Sequence, residues 1–425
     1  MAVPLPVAPA GRRAWSQRPL VRALSYYWEV LLTARGRGLL LVTIALALVG
    51  VDTNRTQVFR LFALSAGLLF QASLFRLARR PRLQLECELP ERATAGRLLP
   101  VHVRIAAPPG GKLPERLRVF LRGPRSGPAP VSVTPAEIFL APSDTRAQAR
   151  FELRFARRGR YELRGPGVAR LDPLALVCGA PVQAPGRTLF VHPAFVPLDE
   201  FPVPVGRRYQ PGGIPLSSST GDAIEFVGTR DYRPGDPLKH LHFRSWARCG
   251  KPVVKEFQEE YFCRIALVLD TFLPGRPKAQ DLRGFEASLS MGAAIADVFS
   301  RSEHIVDVLA AGPDLYEVSA GRGLAFLENI LDVLACLEPC QDPAFRSVAP
   351  ALYERLSTTS TVVAILLDWD QGRADFLRRV HSLGVAVKAV IVRSSPTSQP
   401  WQAAAGEMDV SCVDADGLLA AVGLG

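Results

Sequence analysis

Two continuous apolar runs come first along the chain, Gly38 to Val51 and Leu61 to Phe75, parted by the polar turn Asp52-Thr53-Asn54-Arg55-Thr56-Gln57. Both predict helices, and the short turn predicts a hairpin. At 1.5 Å per residue each run covers about 20–23 Å of a hydrocarbon core about 30 Å thick. Arg37, Arg60 and Arg76 stand at the ends of the runs, where snorkelling lengthens their reach. The reading is therefore an N-terminal transmembrane helical hairpin over 38–77, preceded by a basic tail over 1–37.

From Leu83 the period changes to two. Leu83, Leu85, Cys87 and Leu89 alternate with Gln84, Glu86 and Glu88, and Val101, Val103 and Ile105 alternate with His102 and Arg104. The same alternation returns at Val131 to Val133, Phe151 to Phe155 and Tyr161 to Leu163. Such strands pack one face and wet the other. Proline and glycine clusters such as Ala107-Pro108-Pro109-Gly110-Gly111 punctuate them. The expectation over 80–195 is an antiparallel β-sandwich, with no catalytic constellation in it.

From Arg264 the pattern changes again. Arg264 to Leu269 is a continuous apolar strand ending in Asp270, and Thr361 to Leu367 is another, ending in Asp368. Further strands are expected at Ile305 to Ala310, Val385 to Val392 and Val410 to Val413, alternating with helical stretches near 285–302, 324–337 and 373–382. This alternation predicts an α/β domain over 261–425 with a parallel sheet covered on both faces. Sites in such sheets lie beyond the carboxyl ends of the strands, where Asp270, Asp368 and Asp370 stand.

Between these domains lies a junction, 196–260, of different chemistry. Glu225, Asp231 and Asp236 interleave with Arg230, Arg233, Lys239, Arg244 and Arg248, and the aromatics Phe226, Tyr232, Phe243 and Trp246 sit among them. Pro234-Gly235-Asp236-Pro237 is a tight-turn signal, and Glu256, Glu259 and Glu260 follow. Two readings stand. Charge-paired hydrogen bonds lock sandwich, linker and α/β domain together, or the segment is a recognition surface for a partner. The residues that carry either reading are Glu225, Arg230, Tyr232, Gly235, Asp236, Phe243, Trp246, Ala247, Arg248, Glu256 and Glu260.

The chain of 425 residues has a formal net charge of +11. Arginines crowd both flanks of the apolar runs: Arg12, Arg13, Arg18, Arg22, Arg35 and Arg37 before them, Arg76, Arg79, Arg80 and Arg82 after. The positive-inside rule then puts both flanks in the cytoplasm, with everything after about residue 80 on the cytosolic side of the inner membrane. Membrane lipid is thus an expected partner, and with no nucleic-acid fold signature, nucleic acid is not. Seven scattered cysteines (Cys87, Cys178, Cys249, Cys263, Cys336, Cys340 and Cys412) form no disulfide framework and agree with a reducing compartment.

The run Arg230-Asp-Tyr-Arg-Pro-Gly-Asp236, followed by Ala247-Arg248 and the acidic ending Lys255-Glu-Phe-Gln-Glu-Glu260, closely resembles the domain-of-unknown-function 58 family. Arg157-Arg158-Gly159-Arg160-Tyr161, Asp172-Pro173 and Phe190-Val191-His192-Pro193 resemble further signatures of it, so the match covers most of the chain from about residue 38. The chain departs from the family in having Phe243 where tryptophan is common and Trp246 where a small residue is common. The resemblance implies a membrane hairpin, a β-sandwich and a von Willebrand factor A-like domain. It also implies a scaffold or adaptor function with a MoxR-type AAA+ ATPase as partner.

A von Willebrand A domain can hold a divalent metal through an Asp-x-Ser-x-Ser loop. Here the stretch is Asp270-Thr271-Phe272-Leu273-Pro274, and Phe272 and Pro274 cannot ligate magnesium. Asp270, Asp368 and Asp370 remain the metal candidates of the alternative reading, a divalent-metal-dependent ligand-binding protein or enzyme. His240 and His242, two apart, would share the face of a strand but lack a third zinc ligand. There is no nucleophile elbow, H-E-x-x-H, P-loop or dinucleotide fingerprint, so no catalytic residue and no cofactor is expected.

Overall fold

The computed structural model describes residues 28, 32–49, 57–75, 82–141, 145–204, 224–236, 238–259, 264–301, 305–311, 315–318, 324–341, 345–356 and 359–423. The chain forms two compact units. The first comprises Met1–Val196, Asn329–Glu338 and Asp416–Gly425, and the second Pro197–Glu328 and Pro339–Ala415.

The first unit begins with helices α1 (Ala34–Val49) and α2 (Val58–Phe75), which touch each other. Their base is rooted in the β-rich part of the unit. The Thr33 hydroxyl donates to the Ala175 carbonyl at 2.6 Å, and the Thr33 amide to the Leu176 carbonyl at 3.1 Å. Leu32 and Ala72 bury themselves with Leu176 and Val177, and Leu39 and Leu40 pack against that cluster. Gly36 is required here, because a Cβ would lie 2.0 Å from the Leu176 oxygen. The receiving loop is tied by Asp172: its Oδ1 accepts the Leu176 and Val177 amides, each at 2.6 Å, and its Oδ2 the Leu174 amide at 3.0 Å.

These helices correct the expected fold. Among the described residues no helix is long and apolar enough to cross a membrane. The helices have 16 and 18 residues, which at 1.5 Å per residue is about 24 and 27 Å. Helix α1 starts at Ala34 and spends its first turn on Arg35, Gly36 and Arg37, two charges about a glycine buried against the Leu176 carbonyl, and not on an apolar span. The transmembrane hairpin is overturned on that ground. The expected turn at 52–56, the tail arginines Arg12 to Arg22, and Arg76, Arg79 and Arg80 lie outside the described residues.

The β-rich part holds β1 (Gln84–Glu88), β2 (Arg92–Thr94), β3 (Leu98–Ala106), β4 (Leu117–Phe120), β5 (Val131–Thr134), β6 (Glu137–Leu140), β7 (Arg146–Phe155), β8 (Gly159–Leu163), β9 (Gly167–Arg170), β10 (Val182–Gln183) and β11 (Arg187–His192). Two sheets, ordered β1-β3-β7-β5 and β10-β9-β4-β6, are antiparallel. A third, β2-β11-β8, is mixed, because β2 runs parallel to β11. The wholly antiparallel sandwich is corrected accordingly. Period two holds where it was read: Val101, Val103 and Ile105 on β3 and Phe151, Leu153 and Phe155 on β7 are buried in one core with Val119, Tyr161, Leu189 and Val191.

The second unit begins with a ribbon, β12 (Ile224–Asp231) and β13 (Val253–Glu259), with the short helix α3 (Phe243–Cys249) between its strands. Then come β14 (Arg264–Leu269), α4 (Ala279–Arg301), β15 (Ile305–Ala311), β16 (Leu315–Val318), α5 (Leu324–Cys336), α6 (Phe345–Arg355), β17 (Thr361–Leu366), α7 (Gln371–Ser382), β18 (Ala386–Val392), β19 (Asp409–Val413) and α8 (Ala415–Ala421). The second half of α5 and nearly all of α8 count with the first unit.

The sheet order is β16-β15-β14-β17-β18-β19. It is mixed, which corrects the expected parallel sheet: β16 pairs antiparallel with β15 at one edge. Residues 312–314 alone separate the two strands, too few for the crossover a parallel neighbour needs. The central β17 is buried along its whole length and β14 nearly so, as continuous apolar runs require.

Candidate functional site

The ribbon places the junction motif. β12 and β13 run antiparallel from Ile224 opposite Glu259 to Asp231 opposite Val253, with an irregularity between Phe226 and Gly228. At its end Arg230 forks onto Asp236, one nitrogen to each carboxylate oxygen, both at 2.8 Å. Asp236 also accepts the Arg233 amide at 2.8 Å, and Gly235 supplies the positive φ, 106°, that closes the turn. The Arg230 hydrogen bonds, then the Arg233 amide, pull the Asp236 carboxyl down to about 2. Tyr232 continues the ribbon through its amide, which donates to the Pro252 carbonyl at 2.9 Å.

After this turn the chain makes a 3-10 turn, Leu238–His240, and enters α3. His240 and His242 therefore do not share a strand face, and the premise of the zinc reading fails. His242 instead pairs its Nδ1 with the Ser245 hydroxyl at 2.6 Å. Phe243 and Trp246 stack with ring centroids 6.2 Å apart and planes 20° apart. Ala247 and Arg248 are exposed on the same helix, which ends at Gly250 in the left-handed conformation. Glu225 and Glu256 lie on the two ribbon strands, opposite Gln258 and Gly228. Glu260 is outside the described residues.

The acids at the carboxyl end of the sheet do not converge on one point. Asp270 is buried; its Oδ1 accepts the Phe272 amide at 3.0 Å, and its Oδ2 accepts the Leu367 amide at 3.0 Å and Arg373 Nε at 2.7 Å. Asp370 caps α7 by accepting the Arg373 amide at 2.9 Å, and its carboxylate pairs with the Arg373 guanidinium. Arg373 Nη2 donates to the Phe272 carbonyl at 3.1 Å, and the guanidinium lies 5.5 Å from the Phe272 ring centre. Asp368 turns elsewhere, to Arg393 at 3.0 Å and to the Ser398 hydroxyl at 2.5 Å. Among the described residues, no three His, Cys, Asp or Glu side chains are grouped to hold a metal.

Arg373 was not singled out from the sequence. Burial works against its charge, but Asp270 and then Asp370 outweigh that and hold it more firmly protonated than usual. The signal available was indirect: a carboxylate at a buried strand end needs a compensating cation, and Phe272 and Pro274 exclude the usual one.

A second network went unread. Within the first unit, the buried Arg158 donates from Nε to the Leu334 carbonyl at 3.0 Å and from Nη2 to the Leu337 carbonyl at 2.5 Å. On the same segment Asp332 pairs with His192 Nε2 at 2.7 Å and Arg92 Nη2 at 2.9 Å. Burial raises the Asp332 carboxyl, but the hydrogen bonds from His192 and Arg92 prevail and lower it. Arg158 and His192 both belong to runs that carry the family resemblance.

No family model matches the chain, and no curated protein matches it. Among solved structures it is similar to the native conformation of alpha-2-macroglobulin from E. coli, at 22% identity over 27% of this chain, with a TM-score of 0.20. The chain spans 7% of that protein's length. It is similar as well to the CARDB domain of the PF1109 protein from Pyrococcus furiosus, at 15% identity over 27% of this chain and 90% of that one, TM-score 0.17. A superoxide reductase (neelaredoxin) from Ignicoccus hospitalis matches at 11% identity over 29% of this chain and 89% of that one, TM-score 0.13. Likeness at this level carries no argument about fold or function.

Proposed function

We propose that the chain is a scaffold or adaptor acting with a MoxR-type AAA+ ATPase at the cytoplasmic face of the inner membrane, in the assembly or maturation of partner proteins. The observation that carries this reading is the Arg230–Asp236 fork, the centre of the motif by which the chain resembles its family. The fork fixes a turn from which α3 stands out, six of its seven residues exposed. A turn locked by paired charges is a fixed surface that a partner can read, and it is this turn, 230–236, and not α3, that the ATPase contact uses.

The exposed apolar side chains of α1 and α2, among them Leu41, Ile44, Leu48, Leu61, Leu64 and Phe70, form a patch that suits contact with a membrane surface or a partner, not a span. The test is copurification of the full chain with a MoxR-type ATPase of the same organism. The ATPase is expected to be retained by the native chain and lost with Arg230→Ala. Equal recovery of the ATPase by native chain, variant and empty resin would overturn the proposal.

A further inference from the structure

The segment 238–251 carries Lys239, Arg244, Arg248 and Lys251 and no acidic residue. All four cations are exposed. Exposed with them are three large apolar side chains, Leu238 at 69%, Phe243 at 67% and Trp246 at 38%. On α3 the stacked Phe243 and Trp246 lie three residues apart and form one row; Arg244 and Arg248, four apart, form the next, with Ala247 between them. Of the acids just before the segment, Asp236 is committed to Arg230 and Arg233, and Asp231 lies on the ribbon strand.

From this arrangement we infer that α3 and its flanking turn form a contact surface for an anionic lipid bilayer. The three apolar side chains enter the headgroup–acyl boundary and the four cations meet lipid phosphates. Aromatic rings beside lysine and arginine suit that boundary, where one end of the residue is apolar and the other wet. A protein partner is the poorer fit, since a stable protein interface takes about 20–30 residues a side and this face offers one two-turn helix and a turn. Bilayer contact needs only a few inserted side chains with cations about them. The inference deepens the proposed function and rests on its placing the chain at a membrane. The contact is peripheral and separate from the exposed helices of the first unit.

The test uses the full chain with an environment-sensitive fluorophore on Cys249, which is exposed one turn from Trp246, with Cys263 and Cys412 replaced by serine. Vesicles of phosphatidylcholine alone are compared with vesicles holding about one-third phosphatidylglycerol, and flotation records whether the chain binds at all. The label is expected to brighten and shift to the blue on anionic vesicles only, and to lose the response as salt rises. Lys239, Arg244, Arg248 and Lys251 all changed to glutamine should weaken the response at least about tenfold. Phe243→Ser with Trp246→Ser should abolish the blue shift.

A label that stays in water while the chain floats, or that responds equally on neutral vesicles, would overturn the inference. So would a response to the purified ATPase in place of anionic vesicles, which would make the face a protein site. Loss of ATPase copurification with the lipid response intact would instead sink the scaffold reading alone.

Discussion

Arg373 Nε meets Asp270 Oδ2 at 2.7 Å, so the buried carboxylate at the end of β14 is neutralised by a side chain of the chain itself. Both members are almost wholly buried, Asp270 with a side-chain exposure of 0% and Arg373 of 4%. Removing one partner of such a pair strands the other as an uncompensated charge. Arg373→Ala is therefore expected to destabilise the second unit by about 3–5 kcal/mol. Urea unfolding of the full chain measures it; a loss below about 1 kcal/mol, the range of exposed pairs, would contradict the burial argument.

The same pair bears on metal binding. A divalent cation at Asp270 would have to displace the guanidinium, because both carboxylate oxygens already accept hydrogen bonds. The native chain is expected to give no saturable heat with magnesium or manganese. Arg373→Ala, provided it folds, should gain weak binding that Asp270→Asn then removes. Saturable binding by the native chain would favour the metal-dependent reading over the scaffold.

How far the sequence could be read follows from which interactions are local. Period two in β3 and β7 and the apolar runs of β14 and β17 are local signals, and those strands lie where they were read. The edge strand β16 was missed because Leu315-Tyr316-Glu317-Val318 is too short to establish a period, and the helix pair was over-read as a span because α1 and α2 as described, about 24 and 27 Å long, still fall short of a core about 30 Å thick. Arg230 and Asp236, six residues apart, were both singled out in the junction, but which acid Arg230 holds was not read, because three acids and five cations interleave there. Arg373–Asp270, 103 apart, and Arg158–Leu337, 179 apart, exist only through the fold.

Asp236 gives a pH prediction whose sign is fixed by the fork. Its carboxyl titrates at about 2 instead of the ordinary 3.8, so the ordering it gives the turn is complete above about pH 4 and fades as pH falls toward 2. Carbon-detected NMR of the carboxyl should place the midpoint near 2, and Arg230→Gln should move it back toward 3.8. An unmoved midpoint in the variant would mean that Arg230 is not what holds it down.

Asp332 behaves likewise in the first unit. Its carboxyl is lowered by His192 and Arg92 against the opposing effect of burial, so its contribution is full above the ordinary carboxylate range and lost as pH falls through its own. Asp332→Asn should cost about 1.5–3 kcal/mol at neutral pH, the range for hydrogen bonds to a charged group, and progressively less on acidification. A variant whose stability loss is the same at neutral and acid pH would show that the carboxylate charge is not what the segment uses.

The root of the helix pair can be tested at one atom. A methyl group on Gly36 would sit 2.0 Å from the Leu176 oxygen and 3.0 Å from its carbon, and both are backbone atoms of a loop already held by Asp172. The loop cannot retreat without breaking the 2.6 Å bonds that Asp172 accepts from Leu176 and Val177. Gly36→Ala should therefore lift the start of α1 from its seat, at a cost of about 1–3 kcal/mol. Gly38→Ala, where a Cβ meets nothing within 4 Å, should cost nothing and gain helix propensity. Hydrogen exchange separates them: faster exchange at the Thr33 and Arg37 amides in the first variant alone is the expected result, and equal protection in both would refute the close approach.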